Sequence, residues 1–186
     1  KNLKQFYGQD LHNYNAIFLG QHDALSAGRE LLELTARNAY EIFEFKRSYL
    51  KGTSLFLFGS VDSIVHVEEK LFESLNALPF STYINIGLES NDSSTFKVLK
   101  KPVSVEKVRE AFNRILDINR RYEKIEVTVN FVLGRDLPPG HLPSLLELTR
   151  HQLSSSSNKG AVYLSPLMEE GLRDKESKRE LLRRFL

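Results

Sequence analysis

The sequence predicts an α/β domain built as a partial (β/α) TIM-type barrel, with about five parallel strands. Short apolar runs alternate with helical patterns along the chain, and such strand–helix–strand units form parallel sheets with right-handed crossovers. Two successive central runs also carry polar residues on one face. The chain has 186 residues and is 41% hydrophobic, which is enough for one domain with a sizeable core.

Five segments have the composition of β-strands. Each is rich in isoleucine, valine, phenylalanine, tyrosine or leucine, and each ends at glycine, serine or proline. The alternation of strands with helices predicts that all five strands run parallel, in the order of the chain. They cover residues 15–20, 54–60, 82–88, 125–134 and 160–167.

Amphipathic helices are predicted between the strands, because apolar residues recur there at helical spacing. Ser104 is a predicted N-cap, and Glu106 lies in the first turn of its helix, where the helix dipole favours an acid. The serine-rich residues 153–160 predict a flexible loop. The apolar faces comprise Leu32, Ala36, Ala39 and Phe43; Ile64, Val67, Leu71, Leu75 and Leu78; Val108, Ala111, Ile115, Ile118 and Tyr122; and Leu145, Leu148, Thr149 and Leu153.

Polar residues on the central strands indicate a barrel. Asn85 and Glu89 share one face of the third strand, and Thr128 and Asn130 share one face of the fourth. Central strands of a doubly wound sheet are usually apolar on both faces, whereas a barrel interior can become polar toward its carboxyl rim. We therefore expect Glu89, Asn130 and the "GQHD" of residues 20–23 to converge there. Solvated strand ends would give the same pattern, and periodicity does not separate the two.

Composition excludes several classes of function. The 26 basic and 24 acidic side chains give a formal charge of +2, so there is no electrostatic case for a nucleic-acid surface. The chain has no cysteine, which excludes disulfides, thiolate metal sites and cysteine nucleophiles within it. No apolar run approaches the ~18–20 residues of a membrane-spanning helix. We expect a cytoplasmic protein.

The two ends of the sequence indicate a segment of a longer protein. The first residues are neither a signal peptide nor a start with methionine. We assign residues 1–186 to one truncated domain, with 168–186 as the start of a helical extension. Five strands cannot close even a six-stranded partial barrel. We expect the open edge beside residues 15–20 to be covered by the amino-terminal segment, by an upstream part of the same protein or by a second copy.

One segment carries a resemblance to a known family. "YINIGLESNDSSTFKVLKKPVSVEKVREAFNRIL", residues 83–116, resembles the fourth strand and following helix of radical S-adenosylmethionine (SAM) enzymes. The resemblance is to the branch of oxygen-independent coproporphyrinogen oxidases, methylthiotransferases and elongator-type tRNA modifiers. There the strand ends in Ile-Gly-(Leu/Val)-(Glu/Gln)-Ser, and Ile86 to Ser90 fill those places.

Other segments are similar to the same family in the same order, over roughly residues 14–167. "VTVNFVLGRDLPP" resembles the fifth strand, with Asn130, Gly134 and Pro138 at the matching places. "AIFLGQHDAL" resembles the second strand and "GAVYLSPL" the sixth. The Cys-x3-Cys-x2-Cys loop of the family is missing and is expected upstream. Gln21 replaces the second glycine of the Gly-Gly-Glu motif.

The resemblance implies a cofactor and a reaction. The parent protein would use a 4Fe–4S cluster to cleave SAM into methionine and a 5′-deoxyadenosyl radical, which acts on an unknown substrate. This chain would lack the cluster ligands and be inactive alone. Glu89 would contact the ribose or the cationic part of SAM, Asn130 the ribose or the carboxylate, and the backbone near Leu164 the adenine. Further candidates for cofactor binding are Gly20, Gln21, His22, Gly87 and Ser165.

Two other classes of function stay open. The first is a non-catalytic, barrel-derived interaction module. The second is a metal-dependent hydrolytic barrel with His22, Asp23 and Glu89 as ligands, although no His-x-His pair or comparable spacing favours it. The four remaining histidines occur singly and are predicted to be surface or packing residues: His12, His66, His141 and His151.

Overall fold

Five parallel strands form a single sheet in the computed structural model, which describes residues 2–134, 136–152 and 159–166. Each strand pairs with its predecessor in the chain, so the order is β1-β2-β3-β4-β5. This confirms the predicted α/β, barrel-like class and the parallel order. The strands are β1 (Ala16–Leu19), β2 (Ser54–Ser60), β3 (Ser81–Glu89), β4 (Ile125–Leu133) and β5 (Val162–Pro166).

The connections between the strands are helical. Short 3₁₀ helices at Gly8–Asn13, Ala24–Ala27 and Phe45–Arg47 accompany seven α-helices in the described part of the chain. The α-helices are α1 (Asn2–Tyr7), α2 (Arg29–Ile42), α3 (Val61–His66), α4 (Glu69–Ala77), α5 (Ser93–Val98), α6 (Val105–Arg121) and α7 (His141–Gln152).

The strand order places the core on one side of the sheet. Right-handed crossovers between sequential parallel strands bring every connecting helix to the same face. Alternate strand residues such as Leu57, Ile84 and Val127 are accordingly buried beneath helices. The other face, called the open face below, keeps many of its side chains partly or largely accessible. It comprises Ala16, Phe18, Ser54, Phe56, Phe58, Ser60, Ser81, Tyr83, Asn85, Gly87, Glu126, Thr128, Asn130, Val132, Tyr163 and Ser165.

Helix α6 forms as the sequence predicts. Ser104 Oγ accepts a hydrogen bond from the Lys107 amide at 3.2 Å and caps the helix. The helix buries the predicted stripe against the sheet. Near its carboxyl end, the Asn119 side chain donates to the Val127 carbonyl at 2.9 Å and accepts from the Val127 amide at 2.7 Å. It thereby satisfies the backbone of β4 at a point that β5 does not reach.

The helical stripe predicted over residues 64–78 is divided between two helices. Helix α3 ends at His66, Val67 is extended with φ −61° and ψ 137°, and α4 begins at Glu69. The guanidinium of Arg114 donates to the carbonyls of Val65 and Val67, which the end of α3 leaves without helical partners. The apolar face is buried in both helices, because the break changes the direction of the chain without exposing its leucines.

Strand β1 pairs with β2 alone among the described residues, so one of its edges is unpaired. The amino-terminal segment packs beside this edge and buries Leu11. Tyr7 and Tyr14 from the same segment help to line an apolar groove of about 300 Å³ next to Ile17. The edge itself is thus open, as expected, and its coverage by an upstream segment or a second copy stays a prediction.

Two predicted segments lie mostly or wholly outside the described residues. The loop predicted over residues 153–160 falls mostly on residues 153–158, and the helical extension predicted over 168–186 falls wholly beyond the described part of the chain. Among the helices that the structure describes, none has both the length and the hydropathy needed to span a bilayer.

Tyr122, at the end of α6, predicts an alkaline loss of stability. Burial and a hydrogen bond donated to the Glu69 carboxylate raise the pKa of Tyr122 to about 12, from an ordinary 10.0. Between these two values the folded protein keeps a proton that the unfolded chain releases. The free energy of unfolding should therefore fall as the pH rises from about 10 to 12, with the full contribution present below 10.

Urea denaturation over this pH range, on the wild type and on Tyr122→Phe, measures the effect. The difference in stability between the two proteins should change above pH 10.0. If the unfolding free energies of the two proteins changed with pH in the same way, the raised pKa of Tyr122 would be contradicted.

Candidate functional site

Polar side chains of three strands are hydrogen-bonded to one another on the open face. Asn130 Nδ2 donates to Asn85 Oδ1 at 2.7 Å, and Asn85 Nδ2 donates to Thr128 Oγ1 at 2.8 Å. Ser165 Oγ on β5 donates to Asn130 Oδ1 at 3.4 Å. These four residues, called the amide network below, form a continuous polar line toward the carboxyl ends of the strands.

The register of the strands explains why the network forms. Asn85 lies opposite Thr128, and Gly87 lies opposite Asn130, in the parallel pairing of β3 with β4. Open-face residues recur every second position along a strand, so these pairs occupy successive rows of the same face. Asn130 and Ser165 are among the site residues that the sequence predicts. The predicted polar faces also include Asn85 and Thr128, which that prediction leaves outside the site.

Glu89 reaches over Gly87 at the rim of the same face. Its Oε1 lies 3.1 Å from the position that a Cβ on Gly87 would take. A side chain at residue 87 would therefore compete with the carboxylate. Glu89 Oε1 is 3.4 Å from Lys101 Nζ, and 27% of the Glu89 side chain is exposed. The carboxylate is accessible, with one cation beside it.

An aromatic row crosses the open face nearer its amino edge. The rings of Phe18 and Phe56 stack at 4.8 Å between centroids, and those of Phe56 and Tyr83 stack at 5.2 Å. The three residues are aligned by strand register. Phe18, on the edge strand, is 63% exposed. The row gives the open face a flat apolar surface beside the polar network.

The "GQHD" segment lies beyond the carboxyl end of β1, separated from β3 by β2. Gly20 has φ +77°, and a Cβ there would lie 3.0 Å from Ala24 Cβ, so the turn itself requires glycine. Gln21 and His22 are exposed. Asp23 Oδ2 accepts from Ser60 Oγ at 2.7 Å, whereas its buried Oδ1 has no hydrogen-bond partner among the residues that the structure describes. No hydrogen bond within the described residues joins this segment to Glu89 or Asn130, so the structure does not unite all the predicted site residues.

Asp23 also lines a groove of about 970 Å³ between the start of α2 and the α3–α4 pair. None of the other predicted site residues lines that groove. The described residues contain no group of three or more histidine and carboxylate side chains arranged to hold a metal ion. His22, Asp23 and Glu89 therefore do not assemble the metal site that the hydrolytic alternative requires.

Ser90 and His141 form a buried pair behind the rim that the sequence does not predict. Ser90 Oγ lies 2.9 Å from His141 Nδ1, and the other ring nitrogen lies 2.9 Å from the Val132 carbonyl. Ser90 is 0% and His141 1% exposed. A serine beside a histidine is the geometry of an activated nucleophile, but burial at this depth keeps a substrate away. No sequence signal links two residues that are 51 positions apart.

The next residues after β3 are held by hydrogen bonds as well. Asp92 caps α5 by accepting from the Thr95 amide at 2.8 Å. The hydroxyl of Ser94, followed by the hydroxyl and amide of Thr95, lowers the pKa of Asp92 below its ordinary value. The Asp92 carboxylate is thus stabilised as an anion and committed to the cap.

The rim of the open face therefore offers two kinds of recognition. The Glu89 carboxylate accepts hydrogen bonds or pairs with a cation, while the amide network presents neutral donors and acceptors beside an apolar aromatic row. Such a surface suits a polar ligand with hydroxyl groups, a positive charge and a planar ring. No protein-family model matches the chain, and no curated protein is significantly similar to it.

Proposed function

We propose that this chain is the SAM-binding part of a radical SAM enzyme whose 4Fe–4S cluster is held by cysteines outside these 186 residues. The observation that carries the proposal is the position of the "GLES" motif. Its glycine and glutamate lie at the carboxyl rim of the open face, next to Asn130 in the register of the sheet. The remaining motifs that resemble the family and the barrel-like strand order are consistent with the same proposal.

The chemistry of the rim fits SAM. SAM carries a sulfonium and an ammonium group, ribose hydroxyls and an adenine ring. The Glu89 carboxylate provides an acceptor for a hydroxyl or a counter-charge for a cation. Asn130 provides both a donor and an acceptor, and the absence of a side chain at Gly87 leaves room for the ligand and the carboxylate together. The backbone near Leu164 on β5 is assigned to the adenine edge.

The cluster itself does not fit this chain. Each of three irons needs a thiolate ligand, and the sequence contains no cysteine. The residues described here therefore bind and orient SAM and shield it from water, and they hold no iron. Bound SAM would supply a carbon radical and methionine on accepting one electron from the cluster that we propose is held outside this chain.

A second candidate function is a non-catalytic interaction module. The unpaired edge of β1 and the largely exposed Phe18 ring favour it, because such edges recruit another strand. An upstream segment of the same protein and a second copy of this chain are the two proposed partners at that edge. The reaction described next separates this candidate from the enzyme.

The test uses the longer protein that we propose contains this chain, reconstituted anaerobically with iron and sulfide. We expect it to bind a 4Fe–4S cluster and, on reduction, to convert SAM into methionine and 5′-deoxyadenosine, measured by chromatography. The 186-residue chain alone, as the control, should bind no stoichiometric iron. A longer protein without a cluster or without SAM cleavage would exclude the enzyme and leave the interaction module. Stoichiometric iron and sulfide on the cysteine-free chain would overturn the argument from ligand chemistry.

A further inference from the structure

The carboxyl end of β3 contains a strained turn centred on Glu89. The Ser90 amide donates to the Leu88 carbonyl at 2.7 Å, and Glu89 between them has φ +66°. A hydrogen bond from residue i+2 to residue i around a residue with positive φ defines the rarer and more strained of the two γ-turns. A glutamate gains nothing intrinsically from this backbone conformation. The surrounding structure must therefore hold it.

The turn determines where the carboxylate points. The pairing of β3 with β4 shifts register between Gly87 and Glu89, where Gly87 pairs with Asn130 and Glu89 pairs with Phe131. A bulge of this kind redirects the side chains that follow it. The Glu89 side chain folds back until Oε1 is 3.1 Å from the Cβ position of Gly87. The carboxylate thus lies over the open face at the rim.

A buried hydrogen-bond chain fixes the residue that follows the turn. The Val132 carbonyl can only accept, so the His141 Nε2 that lies 2.9 Å from it carries the proton. His141 Nδ1 is then an acceptor, and the Ser90 hydroxyl donates to it over 2.9 Å. The same hydroxyl oxygen accepts from the Asp92 amide at 3.1 Å. With this one proton on the imidazole, the Ser90 hydroxyl and both ring nitrogens of His141 each have a hydrogen-bond partner.

Helix α7 supplies a second attachment to the same segment. Asn91 Nδ2 donates to the Ser144 carbonyl at 3.0 Å, and Arg109 Nε donates to Asn91 Oδ1 at 3.3 Å. Gly140, just before α7, allows close approach, because a Cβ there would lie 3.1 Å from Asp92 Oδ1. The backbone after Glu89 is therefore anchored to a helix that does not itself lie on the open face.

We propose that Ser90 and His141 are positioning residues, which hold Glu89 in its strained turn and so direct its carboxylate at the ligand. They act through Glu89 and do not touch the ligand, since both are completely or almost completely buried. The ligand part of the inference rests on the proposed function, in which that ligand is SAM. The conformational part stands on the geometry of the turn alone.

The first measurement needs no ligand. A residue with positive φ has a short distance between its own amide and Hα protons and gives a strong intraresidue nuclear Overhauser effect. In the 186-residue chain, Glu89 should show this strong effect, and the ¹⁵N shifts of His141 should report a proton on Nε2 and none on Nδ1. Ser90→Ala should weaken the Glu89 effect to that of an extended residue. Ser144→Ala is the matched control, because it removes a hydroxyl from α7 whose one hydrogen bond within the described residues goes to the His141 carbonyl.

His141→Asn and His141→Gln provide a second pair if Ser90→Ala does not fold. Asparagine can keep an acceptor near the position of Nδ1, whereas glutamine can keep only a donor near Nε2, so the asparagine variant should retain the Glu89 effect better. A Glu89 with positive φ in folded Ser90→Ala and His141→Gln proteins would overturn the proposal. So would a proton on His141 Nδ1.

The second measurement is the dissociation constant of SAM in the cluster-containing protein. Ser90→Ala should weaken binding by about tenfold, and adding Glu89→Ala to it should cost less than Glu89→Ala costs in the wild-type background, because the two residues act as one unit. Fully additive losses would overturn the positioning role. If the protein binds no SAM at all, the proposed function fails, and the conformational measurement still decides whether Ser90 and His141 hold the turn.

Discussion

Under the proposed function, replacing Glu89 by alanine is expected to weaken SAM binding in the proposed cluster-containing protein by about tenfold to a hundredfold. The carboxylate lies at the rim of the open face, 27% exposed and 3.4 Å from Lys101 Nζ. One or two charge-assisted hydrogen bonds to a ligand contribute about 1.5–3 kcal/mol, which corresponds to this loss of affinity. Equilibrium binding of SAM under anaerobic conditions, and the rate of 5′-deoxyadenosine formation, measure the effect.

Glu126 offers a matched control for that experiment. It is a carboxylate on the same open face, but it lies near the amino end of β4, opposite Tyr83, and accepts from the Gly160 amide at 3.2 Å. Glu89→Gln should lose most of the affinity that Glu89→Ala loses if the negative charge matters, while Glu126→Gln should bind SAM as the wild type does. Equal effects of the two glutamine variants would indicate a general change in charge and would remove Glu89 from the proposed site.

Replacing Phe72 by alanine is expected to lower the free energy of unfolding by about 3–5 kcal/mol. Phe72 on α4 is 0% exposed. Its ring is 6.1 Å from that of Tyr122, and the guanidinium carbon of Arg114 lies 5.9 Å from its centroid. Alanine would leave a cavity beneath α4, next to the Tyr122 ring and the Arg114 guanidinium. Urea denaturation of the wild type and the variant measures the loss in unfolding free energy. The slope of that free energy against urea concentration should be the same for both proteins.

Phe18→Ala makes the same chemical change on the opposite face of the sheet. Phe18 is 63% exposed, so its removal should cost about 1 kcal/mol or less, most of it from stacking against Phe56. The difference between the stability losses of Phe72→Ala and Phe18→Ala tests whether the core lies on one side of the sheet. A loss for Phe18→Ala as large as that for Phe72→Ala would show that the open face is covered in solution, as it would be in a dimer.

Much of the fold could be predicted from single-residue patterns. The five apolar runs became the five strands within a few residues at each end, because β-branched and aromatic residues between glycine, serine and proline have few other stable arrangements. The polar alternation at Asn85 and Asn130 predicted one unburied face, since a strand has a period of two. The helical stripe from Val108 to Tyr122 and its Ser104 cap were equally clear.

What escaped prediction depends on contacts between distant parts of the chain. The break at Val67 is stabilised by Arg114, which lies on another helix. The pairing of Asn85 with Thr128 requires the register between β3 and β4, and alternation alone does not determine register. The attachment of Ser90 to His141 likewise requires α7 to be in place. Local patterns predict the elements of this protein, whereas its site is determined by their relative placement.

The uninterrupted strand order has a consequence for biosynthesis. Each described strand after β1 pairs with the strand that is synthesised immediately before it. Its first partner is therefore already present when it leaves the ribosome, and only its second edge waits for the next strand. Parallel pairing is intrinsically slow, because it joins residues that lie far apart in the chain, but here each strand needs only one crossover to reach its partner. The sheet can therefore grow one strand at a time as translation proceeds, with β5 added last to the edge that β4 provides.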